Sequence, residues 1–318
     1  VYEHITGGGL PNAPLSPSLQ EEGEAMLRAL LHDLAAVEGV ETVVMRDSRL
    51  PPLAHAGRVH IVHTPAESHL MFEACLAACD AVWPIAPESG GTLESLARRI
   101  ADSRTRHLGS SIEAIQVASS KIETSRVLLR AGIAAIRTER SVARLEGYRG
   151  PVVVKPDDGA GCRQTYFFEA PDIAVAWLEA HPEFINCAIQ PYLPGEALSL
   201  SLICQSGCAR VLSCNRQRVA VREGLFCFDG TQTGAGGDGR AYQALADAVA
   251  HALPGLWGYV GVDFIASADG PVVMEINPRL TSSYVSLAEV SGINPARLVL
   301  GLVDAVRFGD PEVGYAHA

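Results

Sequence analysis

The sequence predicts an α/β N-terminal unit followed by an α+β body. Short β-rich runs at 42–45, 59–63 and 81–85 alternate with helix-like stretches at 19–37 and 67–78, as in a parallel layer. From residue 152 onward strands dominate, at 152–155, 166–168, 187–190, 198–204, 209–215, 260–265 and 272–276. At 318 residues the chain exceeds the usual size of one hydrophobic core, so two or three domains are expected. The expected division is 1–105, 106–200 and 201–318.

Each element has a local reason. In the first helix Ser16-Pro17-Ser18 supplies cap and first-turn residues, and Glu21, Glu22 and Glu24 favour the positive end of its dipole. Met26, Leu27, Leu30, Leu31 and Leu34 make its apolar stripe. The run Thr6-Gly7-Gly8-Gly9 reads either as a loop closing over a ligand or as a flexible turn, and Pro87-Glu88-Ser89-Gly90-Gly91-Thr92 carries the same two readings. Loops after parallel strands line ligand crevices. A helical pattern runs from 112 to 129, with a glycine cap expected at Ala131-Gly132-Ile133. Another helix is expected over 173–180, and helices close the chain.

Composition narrows the function. The formal charge of −11 excludes a general nucleic-acid surface, which needs a basic excess to release counterions from phosphates. No stretch approaches the roughly 20 apolar residues that span a bilayer. The start, Val1-Tyr2-Glu3-His4, has no basic or apolar leader pattern, so cytoplasm is the expected compartment. Eight cysteines without CxxC pairing are expected to be buried thiols, Cys162 standing apart as a thiol beside a glycine-rich loop that is open to alkylation.

The chain has only two lysines, Lys121 and Lys155, against 23 arginines. A composition that uses arginine elsewhere keeps lysine where a compact point charge serves, and phosphate binding is such a place. Lys155 ends the run Val152-Val153-Val154 and precedes Pro156-Asp157-Asp158-Gly159-Ala160-Gly161, whose glycines admit an anion close to the backbone. Lys121 opens a helical stretch after Ser119-Ser120.

The second constellation is acidic. Glu275 and Asn277 lie two apart on a strand and so share a face, and an antiparallel neighbour carrying Asp263 would set a second carboxylate opposite them. Two carboxylates and an amide form an oxygen-only set suited to Mg²⁺, or Mn²⁺, shared with substrate phosphates. Arg279, after Pro278, is placed to hold a carboxylate or a transferring phosphoryl group.

In this order and spacing the last 200 or so residues resemble the ATP-grasp superfamily of carboxylate-amine ligases, in which two subdomains grip ATP. The resemblance implies that Lys121 and Lys155 are the two nucleotide lysines and that Gly159, Ala160 and Gly161 belong to the mobile phosphate loop. Gln190-Pro191-Tyr192-Leu193-Pro194-Gly195-Glu196 is similar to the hinge that meets adenine through its backbone and ribose through its acid. Gln190 departs from the glutamate of many relatives. Asp263, Glu275 and Asn277 match the metal set, with Lys155 and Arg279 as the catalytic cations. Asn215-Arg216-Gln217-Arg218 resembles a segment lining the site in several members, which makes Asn215, Arg216 and Arg218 substrate candidates, with solvated arginines as the alternative.

The N-terminal stretches 2–9 and 19–27 resemble the ATP-grasp enzymes of methanofuran-type cofactor synthesis, which join glutamate through its γ-carboxylate to tyramine. The expected reaction is ATP-dependent amide formation through an acyl phosphate on small-molecule substrates, with a homodimer left open. Another amino acid and amine, an ATP-binding regulatory module without catalysis, and a kinase acting on a hydroxyl are the rivals.

Overall fold

The computed structural model describes residues 1–308 except 11–12, 54–56 and 160. The N-terminal unit runs β1 (Tyr2–Glu3), α1 (Pro17–Ala35), β2 (Val43–Asp47), β3 (Arg58–Val62), α2 (Pro65–Ala78), β4 (Ala81–Val82), β5 (Pro84–Ile85), α3 (Thr92–Ala101) and β6 (Arg106–His107). Its strands pair in parallel, β1 with β5, β2 with β3 and β4 with β6. The strand expected over 81–85 divides at the buried Trp83, each half joining a different partner.

Helix α1 buries the expected stripe. Its start differs from expectation, because the Ser16 hydroxyl meets Ser18 instead of a backbone N–H, and the glutamates fall beyond the first turn. Glu24 instead pairs with Arg28 on α1 and with the fully buried Arg46 on β2.

The pattern expected as one helix over 112–129 is two, α4 (Ile112–Ser119) and α5 (Lys121–Arg130). Ser120 is extended between them, with φ −112° and ψ 117°, and its Oγ caps α5 by accepting from the Glu123 N–H at 3.1 Å. The break makes Lys121 the first residue of α5. Gly132, at φ +75°, follows the helix as expected.

The remaining elements are β7 (Val152–Pro156), β8 (Tyr166–Phe168), α6 (Pro171–Ala180), β9 (Cys187–Pro191), β10 (Glu196–Gln205), β11 (Cys208–Arg222), β12 (Leu225–Gln232), α7 (Gln243–Ala252), β13 (Gly258–Ser267), β14 (Gly270–Asn277), α8 (Leu287–Ser291) and α9 (Pro295–Phe308). The eight strands form one antiparallel sheet in the order β14-β13-β10-β11-β12-β8-β7-β9. Strand β12 is absent from the sequence expectation. Its hairpin turns on Glu223 and Gly224, both at positive φ, and Glu is an uncommon residue there.

Period-two alternation gives the sheet two different faces. Leu198, Leu200, Leu202, Val260, Val262 and Phe264 pack with Ala114, Ala118, Leu128, Ala246 and Val249 of α4, α5 and α7. Each large side chain withdrawn from water there contributes about 1.5–3 kcal/mol. The alternate residues Ser199, Ser201, Tyr259, Gly261 and Asp263 face the other way, and it is this polar face that carries the site.

Candidate functional site: a cleft with two ammonium groups and a carboxylate pair

Asp263 on β13 stands directly opposite Glu275 on β14, with Gly261 opposite Asn277 two rungs along, on the same face. The register slips between Asp263 and Phe264, which pairs with Val273, so Met274 is an extra residue on β14. Such bulges re-aim side chains beside sites. Here both Met274 and Glu275 line one cleft, while Val273 stays in the core.

That cleft, about 840 Å³ including the space open at its mouth, is lined by Lys121, Lys155, Gly159, Gly161, Gln190, Pro191, Tyr192, Leu193, Asp263 and Glu275 among the residues singled out from sequence. Apolar walls come from Val153, Ala197, Val219, Phe226, Ile265 and Met274. One end is therefore charged and the other suits a flat apolar group.

At the charged end the lysines are buried and the carboxylates half-buried. Lys121 and Lys155 are 6% and 9% exposed. Lys121 Nζ lies 3.5 Å from Glu275 Oε2 and donates to the carbonyl oxygens of Gly159 and Asp157, the latter at 3.3 Å. Burial lowers the Lys155 ammonium to about 8 against the opposing pull of Glu275. Burial pushes Asp263 up to about 7, and the Glu275 charge adds to it. Burial pushes Glu275 upward too, yet Lys121 and Lys155 hold it below the usual carboxylate range. Asn277 Nδ2 donates to Asp263 Oδ2 at 3.4 Å. Two facing carboxylates of which one tends to keep a proton, with an amide oxygen beside them, fit a divalent cation, which relieves the repulsion and replaces the proton.

The loop after β7 is held on two sides. Asp157 accepts from the Ile122 N–H at 3.0 Å and from Ser120 Oγ at 2.7 Å. Asp158 accepts from Ser89 Oγ through its carbonyl at 2.8 Å and from the Gly90 N–H through Oδ2 at 2.9 Å. Ala160 lies outside the described residues. Cys162 is half-buried on the cleft wall, and burial together with the Glu275 charge pushes its thiol up to about 11, against the reactivity expected of it. Of the other cysteines Cys187, Cys204 and Cys214 are buried, whereas Cys208 is exposed, unlike the expected buried thiol.

Gln190 is fully buried; its Nε2 donates to Thr138 Oγ1 at 2.8 Å and its Oε1 has no partner. Six expected residues stand elsewhere than in the cleft wall: Glu196, Arg216, Arg218 and Asn215 and, at and beyond the end of β14, Asn277 and Arg279. Glu196 pairs with Arg216 across the β10–β11 ladder, both about half exposed, and Arg218 is also exposed. The physical reason is strand parity, since Ala197 and Gln217 face the cleft and their neighbours face away. Asn215, on the polar face, is fully buried and spent on a network, donating to Ser199 and Ser201 and accepting from Ser213 Oγ and the Gly234 N–H.

Sequence reasoning missed Gln217, Arg163 and Phe226 as cleft residues. Gln217 sits between two arginines whose charge drew attention, and Phe226 lies on the unforeseen β12. The turn at Glu223-Gly224 was the available signal for that strand.

Arg279 lies just beyond β14, clear of the cleft wall. Its Nε and Nη2 donate to Glu88 Oε2 at 3.0 and 2.8 Å, and Nη1 donates to the Leu280 carbonyl at 2.9 Å.

Comparison with known proteins agrees with this fold. The ATP-grasp domain family matches residues 118–283, more than half the chain, and the pre ATP-grasp 3 domain matches 40–115. The tyramine–L-glutamate ligase of Methanocaldococcus jannaschii is 30% identical over 210 residues, 64% of this chain and 56% of that protein. The chain thus aligns with little more than half the length of that relative. The enzyme of the same name from Methanocaldococcus fervens is 26% identical over 278 residues, 84% of this chain and 82% of that protein. A crystal structure of an Archaeoglobus fulgidus protein assigned to the ATP-grasp superfamily superposes with a TM-score of 0.72 at 25% identity, covering 94% of this chain and 86% of that one. With the ATP-grasp domain family matching more than half of its length, the chain belongs to the ATP-grasp family.

Proposed function

We propose that the protein is an ATP-dependent ligase that joins a carboxylate to an amine through an acyl phosphate, with glutamate, through its γ-carboxylate, and tyramine as the pair. The observation that carries this reading is the meeting, at one end of the cleft, of the chain's only two lysines with the half-buried pair Asp263 and Glu275. The names of the two methanogen relatives supply the substrates.

A free carboxylate resists amine attack because its oxygen is a poor leaving group. Phosphorylation by ATP turns that oxygen into phosphate, which the amine then displaces. Lys121 and Lys155 hold the phosphates; the apolar walls and the backbone of Gln190 to Leu193 hold the base. Asp263, Glu275 and Asn277 would hold Mg²⁺ or Mn²⁺, whose charge offsets that of the terminal phosphates. Arg279 stabilises charge on the γ-phosphoryl group and then on the tetrahedral adduct. The loop at Gly159 and Gly161 excludes water that would hydrolyse the acyl phosphate. Residues 1–105 serve as the acceptor-selecting unit, and 106–200 and 201–318 as the two halves of the grip, in a cytoplasmic enzyme.

The test is a screen of amino acids against amines for ADP release, with glutamate and tyramine in the first plate and mass spectrometry of the product. An amide with equimolar ADP supports the reading. ADP without amide marks a kinase, and no ADP with any mixture marks a binding module.

A further inference from the structure

The turn after β5 is unused by the chemistry so far, yet it touches two parts of it. Glu88 pairs with Arg279, while Ser89 and Gly90 hold Asp158 of the phosphate loop. Arg279 is in turn close enough to Asp263 and Glu275 for its charge to lower both carboxyls. The turn therefore ties Arg279 to the loop after β7, beside the charged end of the cleft.

Glu88 is the unusual member. Its side chain is 7% exposed, and Oε2 takes both hydrogen bonds from Arg279. Oε1 is buried with no hydrogen-bond partner. A carboxylate oxygen left bare in a buried site carries an uncompensated desolvation cost, which calls for a partner that arrives later. Arg279 fills one oxygen and neutralises one charge; the bare oxygen accepts but cannot donate. A substrate carboxylate or phosphate would be repelled by it, whereas an ammonium supplies the missing donor and prefers a carboxylate.

We propose that Glu88 is the binding residue for the ammonium group of the incoming amine, holding it through Oε1 beside Arg279 so that the nitrogen lies at the reacting carbonyl carbon. This deepens the ligase reading and rests on it. The ammonium arrives as R–NH₃⁺ and loses one proton before its lone pair forms the C–N bond. The C–O bond to phosphate breaks with its electron pair, and phosphate leaves. Glu88 fixes position; the first proton passes to solvent and the second, released as the C–N bond forms, leaves on the departing phosphate, so that R–NH₃⁺ and the acyl phosphate give amide, HPO₄²⁻ and H⁺.

The experiment compares two nucleophiles on the intact protein with ATP, Mg²⁺ and glutamate. Tyramine is cationic at pH 7.5, and hydroxylamine is neutral there and gives a coloured hydroxamate. In Glu88→Gln the ratio of kcat/KM for tyramine to that for hydroxylamine is expected to fall at least tenfold, mainly through KM for tyramine, with Glu88→Asp recovering most of it. If Glu88 acts only by orienting Arg279, both nucleophiles suffer equally and the ratio stays constant, which overturns the proposal. A measurement on the unaltered chain guards against a variant that fails to fold. N,N-dimethyltyramine, a cation unable to form a stable amide, is expected to inhibit at least tenfold more tightly than uncharged 4-ethylphenol, and equal inhibition overturns the proposal. Absence of amine-dependent product from the unaltered chain would instead sink the ligase reading, and this inference with it.

Discussion

Replacing Lys155 by Met is expected to destroy activity while stabilising the nucleotide-free fold. Burial has lowered the folded-state value from 10.5 to about 8, so keeping the ammonium charged at pH 7 costs about 3 kcal/mol at 1.36 kcal/mol per unit. That figure already includes the attraction to Glu275 and Asp263, so it is a net burden which a neutral side chain of similar length removes. The sign follows from proton counts. Between pH 8 and 10.5 the unfolded chain still holds a proton that the folded chain has released, so stability rises with pH across that window. Below pH 8 both states hold it and the burden stands in full. The same ammonium, if it grips a phosphate, supplies the 10²- to 10³-fold typical of one charge-stabilising donor in a transition state. The assays are urea unfolding without nucleotide at pH 7 and ADP release with glutamate and tyramine. A variant that turns over at near the parent rate, or that loses stability and activity together, would refute the reasoning, because Lys155 would then be a structural cation.

Three further outcomes follow from the same geometry. Asp263 binds a proton below about pH 7, so Mn²⁺ affinity followed by electron paramagnetic resonance is expected to fall roughly tenfold per unit from pH 7 to 5.5, and a flat profile would count against metal binding there. Arg216→Ala and Arg218→Ala, which remove exposed side chains, are expected to keep ligation within about threefold of the parent, whereas Gln217→Ala, in the cleft wall facing Asp263, lowers it about tenfold or more; the reverse order would show that the strand faces are misassigned. Burial lowers His4 and His107 to about 4 from 6.5, so the unfolded chain takes up their protons first and stability is lost as pH falls from 6.5 to 4, by about 3 kcal/mol each at most. Urea unfolding between pH 7 and 4.5 reads this, and His107→Gln should flatten part of the slope.

Much of the cleft was legible because its signals are local. Lys155 ends a β-branched strand before a glycine loop, and Glu275 and Asn277 share a strand face by parity, so chemistry and position are stated together in a few residues. Parity misled where no fixed point was available. Arg216 and Arg218 share a face, but which face is inward depends on where β11 pairs with β10 and on the bulge after Gln217. The hinge acid Glu196 failed for the same reason. The break at Ser120 was hidden because apolar periodicity continues on both sides of it, while the capping bond that marks it is one hydroxyl to one N–H.

The sequence by itself determined the family resemblance, the presence of just two lysines and the shared strand face of Glu275 and Asn277, since each follows from residue chemistry and the fixed periods of strand and helix. Only the tertiary structure decided that Glu88 meets Arg279 across 191 positions, that Asp158 is held by the turn at 89–90, and that Gln217 and not its neighbours faces the cleft. Such contacts join segments whose separation along the chain carries no periodic signal, and what brings them together is the packing of one unit against the other.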